Sequence, residues 1–209
     1  MAQDGFTLYG IAPSGPTYKV ALMLSLCGQR FSYRHMNFMK GAHKEPGFLA
    51  INRYGQLPAL EHGGLLLCQS GAILEYLAET LGKFGGRGAE ERQRCREWLF
   101  WDADRLSPGI YRSRAIVRGF AKADPAAAAA YREHAEAGLK VLNDFVGGAF
   151  LVGAEPTIAD VAAYGAVAFA GEGEFDLGAY PNVAAWAERV RALPGFKAPY
   201  DLLPMHDIP

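Results

Sequence analysis

Apolar positions in the first eighty or so residues change period several times, which is the signature of strands and helices taken in turn. Phe6, Leu8 and Ile11 fall in a short β-type run, and the turn-rich Ala-Pro-Ser-Gly-Pro follows. From Thr17 the segment Thr-Tyr-Lys-Val-Ala-Leu-Met-Leu-Ser-Leu-Cys is apolar nearly all round, which predicts a buried helix ending at Gly28. Residues 31–38 alternate as a second strand. A polar connection then runs through His43 and Lys44 to Pro46, which opens a short helical turn. Leu57–Leu60 and Gly64–Gln69 flank Glu61-His62-Gly63 and read as an antiparallel hairpin. Ser70–Gly82 is amphipathic, with Ser70 as cap and Gly82 as stop. The predicted order is βαβ followed by ββα, with the right-handed crossover expected of parallel neighbours.

The glycine-dense stretch 83–88 carries no hydrophobic period, and beyond it the pattern becomes Ala-rich and helical. Residues 1–82 therefore form one expected domain, 83–88 a linker and 89–209 an all-helical second domain. Its helical segments are 89–106, broken at Pro108-Gly109; 124–146, opened by Asp124-Pro125; 156–170; and 182–193. Thr157 and Asp160 have the spacing of a capping box, which serves stability rather than chemistry.

Charge narrows the partners. The chain carries 21 Lys+Arg against 22 Asp+Glu, divided evenly enough between the two halves that no nucleic-acid partner is expected. No apolar stretch is long enough for a membrane span, and Met-Ala-Gln-Asp-Gly has no exported leader's character, so a cytoplasmic protein is expected. Cys27, Cys68 and Cys95 are odd in number and widely spaced. That excludes a Cys-x-x-Cys exchange site and argues against a disulfide framework or a metal cage.

Gly55-Gln56-Leu57-Pro58-Ala59-Leu60 before the hairpin, Gln69-Ser70 opening the third helix, and Thr157-Ile158-Ala159-Asp160 in the second domain resemble the cytosolic glutathione transferases across essentially the whole chain. The resemblance implies an α/β plus all-α architecture, with a thioredoxin-like βαβ-ββα domain followed by the helical one. It also implies a cis bond at Pro58, a homodimer, and glutathione as co-substrate with no metal. Bacterial serine-type members of theta, beta or nu character are the nearest in pattern.

The tripeptide's thiol becomes a useful nucleophile as thiolate, and free cysteine titrates near 8.5. A hydroxyl and a helix amino end both favour the anion. By its own residues Ser14 reads as a turn serine; the resemblance makes it the catalytic sulfur contact, with Thr17 as alternative and Tyr9 as aromatic strand packing. The resemblance likewise assigns glutathione contacts to His43, Lys44, Gln56, Leu57, Pro58, Gln69 and Ser70. The last two equally read as a helix cap, and His43-Lys44 as a solvated loop. Trp101, Arg105 and Tyr111 are implied for an electrophile site between the domains, and Asp102 for a contact across the subunit boundary. The run Arg105, Arg112, Arg114 and Arg118 reads as a basic helix face or as a holder of an acidic acceptor. Two departures stand out: Arg53 follows Asn52 where many members have proline, and Pro16 occupies the place of the asparagine of nu-type members. The expected activity is glutathione transfer to small electrophiles. Disulfide or peroxide reduction and a non-catalytic scaffold are the alternatives.

Overall fold

The computed structural model describes residues 5–208. Backbone contacts divide the chain into Met1–Leu81 with Pro194–Pro209, and Gly82–Leu193.

In the first unit, β1 (Phe6–Gly10), α1 (Gly15–Leu26) and β2 (Phe31–His35) form the parallel βαβ element. Two 3₁₀ turns, Phe38–Lys40 and Ala42–Lys44, lead to α2 (Pro46–Ile51). The antiparallel strands β3 (Ala59–His62) and β4 (Leu65–Cys68) and then α3 (Ser70–Leu81) complete it. The sheet order is β2-β1-β3-β4. The hairpin turn lies at Gly63-Gly64, so Glu61 and His62 belong to the strand rather than to the turn. Both glycines have positive φ, +56° and +83°, as a two-residue hairpin that keeps the strand twist requires.

The side chains of α1 from Thr17 to Leu24 are buried, Lys19 among them, as expected of a helix that is apolar nearly all round. At its sheet-facing side a Cβ on Gly10 would lie 2.1 Å from Thr17 Cγ2, so the close approach of β1 and α1 depends on that glycine. The last residues return to this unit. A short helix α9 (Pro199–Leu202) packs on α1, and Tyr33 and Ile208 exchange two main-chain hydrogen bonds at 2.7 and 2.9 Å. Asp207 accepts from His35 N at 2.7 Å. The free edge of β2 is thereby covered. A chain ended at Pro204 should lose about 1–3 kcal/mol of stability, read as a lower midpoint in thermal unfolding. An unchanged midpoint would mean the edge contacts contribute nothing.

The second unit holds α4 (Gly88–Trp101), α5 (Ser107–Val117), α6 (Pro125–Phe145), α7 (Ile158–Val167) and α8 (Pro181–Arg191). No break occurs at Pro108-Gly109. A π-helical turn, Asp102–Leu106, joins α4 to α5 directly, and Pro108, which has no N–H to donate back along this continuous helix, follows that turn immediately. Gly109 instead lets two helices meet, since a Cβ there would stand 2.5 Å from Ala135 N of α6. Every residue of α7 is buried, and the capping box forms. Thr157 N donates to Asp160 Oδ2 at 2.8 Å. Asp160 also accepts from Leu151 N and Trp186 Nε1, at 2.9 and 2.8 Å.

Candidate functional site

Strand register decides which loops meet. Tyr9 lies opposite Ala59, Ala59 opposite Cys68, and Gly10 beside His35. The C-terminal ends of β1, β2 and β4 and the N-terminal end of β3 therefore share one end of the sheet. Segments 11–14, 36–44, 56–58 and 69–70 enter or leave there. They carry Ser14, His43, Lys44, Gln56, Leu57, Pro58, Gln69 and Ser70, eight positions scattered over 57 residues of sequence.

Ser14 caps α1: its Oγ accepts from Thr17 N at 3.2 Å. The cap uses the oxygen as acceptor and leaves the hydroxyl proton available for donation, beside the positive end of a 12-residue helix. Thr17 is neither the cap nor open to a ligand. It is fully buried against Gly10 with its Oγ1 unpaired, because the third helical position faces the sheet. Tyr9 donates its hydroxyl to Glu61 Oε2 at 3.0 Å and packs against Phe48. Burial, with Glu61 beside it, raises its pKa.

The peptide bond Leu57–Pro58 is cis. Neither the N–H nor the C=O of Leu57 pairs with anything among the described residues. Gln69 adopts φ +69°, a left-handed conformation that costs a non-glycine residue roughly 1–2 kcal/mol and that clusters at ligand sites. Its Nε2 donates to Gln56 Oε1 at 3.2 Å. The side chain thus turns away from α3, and the N–H groups of Ser70, Gly71 and Ala72 have no acceptor among the described residues. These amides form a ready anion site.

His43 is 8% exposed, stacked on Phe38 at 3.9 Å, with Nδ1 unpaired. Burial and the Lys44 charge lower its pKa, so at neutral pH it offers a neutral ring. Lys44, though exposed, donates to Gly55 O at 2.9 Å. Arg53 lies over the Tyr54 ring at 4.7 Å, and its Nη2 donates to the Tyr54 hydroxyl. Cys27 and Cys95 are buried and Cys68 half-buried; burial raises the pKa of both Cys68 and Cys95.

In the second unit the expected positions do not form one cluster of available groups. Asp102 is 3% exposed and accepts from Ser107 Oγ at 2.8 Å. The Asp102 carboxylate is thus engaged within its own chain, by the first residue of α5. Tyr111 donates to Gly165 O at 3.0 Å, and burial pushes its pKa up. Trp101 stands edge-on to Trp98 at 5.0 Å. Arg105 is exposed and pairs with Asp104. Arg114 is buried against Glu172 at 2.9 Å and Phe169 at 4.2 Å, so the four arginines are not one basic face.

Residues 4–79 match the family described as glutathione S-transferase, N-terminal domain, and residues 109–194 its C-terminal domain. The disulfide-bond oxidoreductase YfcG of Escherichia coli (strain K12) is 31% identical over 88% of this chain and 89% of that protein. The chain belongs to the glutathione S-transferase family. A maleylacetoacetate isomerase of Rhizobium meliloti (strain 1021) is 32% identical over 91% of this chain and 93% of its own. Among solved structures, a glutathione S-transferase from Xanthobacter autotrophicus Py2 is 33% identical, with a TM-score of 0.87 over 94% of this chain and 98% of that one. A glutathione transferase homologue from Lodderomyces elongisporus, solved with two GSH per subunit, is 25% identical, with a TM-score of 0.87 over 96% and 99%. These relatives carry different activities, so the family does not fix the reaction.

No helix of the described residues is long and apolar enough to cross a membrane, and no group of three or more His, Cys, Asp or Glu among them could hold a metal ion. The sequence motifs include Gly55 and place Asn52 beside Arg53 without giving either a role; the two hold the turn before Leu57. An Asn and a Gly seven and four residues before the start of β3 were the available signal, and it is shared by any ordinary turn.

Proposed function

We propose that the chain binds glutathione at the strand-end site of its first unit and activates the tripeptide thiol for attack on a small electrophile. The observation that carries this reading is three sets of available hydrogen-bonding groups at one end of the sheet: the Leu57 main chain, the first amides of α3, and the Ser14 hydroxyl. Glutathione supplies a main chain, carboxylates and a thiol, and each set fits one of them. Leu57 would pair as in strand addition. The α3 amides with Ser70, and Gln69 and Gln56 beside them, would take a carboxylate. His43 and Lys44 would flank the other end of the tripeptide.

Ser14 would donate to the sulfur and so hold it as an anion. Lowering a thiol pKa by about two units requires under about 3 kcal/mol. One charge-assisted hydrogen bond contributes about 1.5–3 kcal/mol and the helix end several tenths more. No general base is required. The enzyme is read as a symmetric homodimer of the cytoplasm, and light scattering at micromolar protein checks the assembly, a monomer mass contradicting it.

A second reading, disulfide reduction at the same site, is favoured by the name of YfcG, one of the relatives. The protein thiols are buried or carry raised pKa values, so the nucleophile there would again be the glutathione thiolate. Paired assays, aryl halide conjugation and exchange with a hydroxyethyl disulfide, separate the two readings. For the shared site, calorimetry should show glutathione binding at micromolar to millimolar strength, weakened roughly three- to tenfold in Ser70→Ala and Gln69→Ala. No heat from the wild type, or wild-type binding by both variants, would contradict the assignment.

A further inference from the structure

The turn between α2 and β3 is held from behind by two side chains. Asn52, the C-cap of α2, is 1% exposed. Its Nδ2 donates to Gln56 O at 2.7 Å, and its Oδ1 accepts from Tyr54 N at 3.0 Å. Its own carbonyl accepts from Gly55 N at 2.8 Å. Lys44, arriving from the 3₁₀ turn on the other side, donates Nζ to Gly55 O at 2.9 Å. Gly55 has φ +55°, and a Cβ there would stand 3.0 Å from both His43 O and Lys44 Nζ. Two successive carbonyls, those of Gly55 and Gln56, are thus each fixed by a side chain, and the next residue is Leu57, whose main chain pairs with nothing among the described residues.

The peptide unit is planar, with C=O of one residue and N–H of the next held in opposite directions. Fixing Gln56 O therefore fixes the direction of Leu57 N–H, because both belong to one rigid plane. Fixing Gly55 O does the same for the plane before it. A ligand pairing with Leu57 then meets a donor already aimed, and binding need not order the turn.

We infer that Asn52 and Lys44 are positioning residues for tripeptide recognition, acting through the Gly55–Gln56 carbonyls on the Leu57 main chain. This rests on the glutathione reading above and adds to it the device that presets its central contact. Lys44 is then a brace, where its position alone suggested a direct partner for the terminal carboxylate.

The test is calorimetry on the full chain with two probes, glutathione and γ-glutamylcysteine, which lacks the terminal glycine. Asn52→Ala, which removes two side-chain hydrogen bonds of the turn, and Lys44→Met, which removes one, should each weaken both probes by roughly tenfold. Lys44→Arg, which keeps a donor, should recover most of it. In turnover KM for glutathione should rise while kcat holds, and the bound thiol should titrate as in the wild type, since the sulfur contact is elsewhere. Wild-type affinities in both variants would overturn the inference while leaving the site intact. A Lys44→Met penalty seen with glutathione but absent with γ-glutamylcysteine would make Lys44 a direct carboxylate contact and overturn its positioning role. Should Asn52→Ala not fold, the exposed Lys44 decides alone. A wild type that binds neither probe overturns the glutathione reading itself.

Discussion

Replacing Ser14 by alanine is expected to lower kcat/KM for conjugation of a model aryl halide at neutral pH by roughly ten- to a hundredfold, with glutathione affinity nearly unchanged. The residue sits where a helix end and a hydroxyl act on the same point. The alanine variant keeps the helix end and loses the donor. It also loses the cap, because Thr17 N then has no side-chain acceptor; that costs about 1 kcal/mol of stability and leaves the fold in place. A threonine at the same position restores a hydroxyl and should restore part of the rate. Undiminished kcat/KM in Ser14→Ala would remove the hydroxyl from the chemistry.

The largest expected effect on stability belongs to Asp160. Its carboxylate accepts from Leu151 N, Thr157 N, Thr157 Oγ1 and Trp186 Nε1. Asp160→Ala leaves several of these donors buried without a partner, at about 1–3 kcal/mol for each that cannot reach water. The expected loss is about 3 kcal/mol or more, a fall of roughly 6–12 °C in Tm for a chain of this size. Thr157→Ala, which removes the hydroxyl alone, should cost about 1 kcal/mol. A further signature is pH. Burial holds the Asp160 pKa above the usual carboxylate value, against the opposing pull of its hydrogen bonds. The folded state therefore binds this proton more tightly than the unfolded one, and the group's contribution to stability falls as pH rises from the unfolded to the folded pKa. Asp160→Asn, which does not titrate, should abolish that slope. Thermal unfolding across acid pH reads it, and an identical profile in Asp160→Asn would contradict the account.

Asp160 also shows where sequence stopped being informative. Its cap role was legible, because Thr157 and Asp160 are three residues apart and the capping box is a local pattern. Leu151 and Trp186 were not, since those partners come from outside the helix and from 26 residues further on. Other elements divide the same way. The βαβ-ββα order follows from the switches of hydrophobic period, and the stretch after Thr17, apolar nearly all round, predicts a buried helix. The return of 194–209 to the first unit left no mark on periodicity, because edge coverage by Ile208 is a main-chain interaction indifferent to side-chain pattern. The π-turn at Asp102–Leu106 was hidden behind Pro108-Gly109, a pair that reads as a break but here opens one helix and admits another.

For the site, the Gly55–Leu60 and Gln69-Ser70 motifs pointed to residues that register brings to one sheet end. What the motifs left unsaid is the division of work among them. Thr17 and Ser14 are both small hydroxyl residues at a helix start, and only the helix phase buries one and turns the other to the open side. Asp102 is buried with Ser107 of α5 donating to it, a packing feature that its place in the sequence does not announce. Asn52, flanked by Ile51 and Arg53, reads as one more turn residue until its two hydrogen bonds are seen.

The claim on which the rest depends is that the strand-end site of the first unit holds the glutathione sulfur as an anion. Thiolate absorbance of the wild-type complex, followed against pH at saturating glutathione, tests it most directly. The account predicts a bound thiol that titrates about two units below the free one, and an upward drift of about one to two units in Ser14→Ala. A bound thiol that titrates at its free value in the wild type, or a titration unmoved by Ser14→Ala, would contradict it.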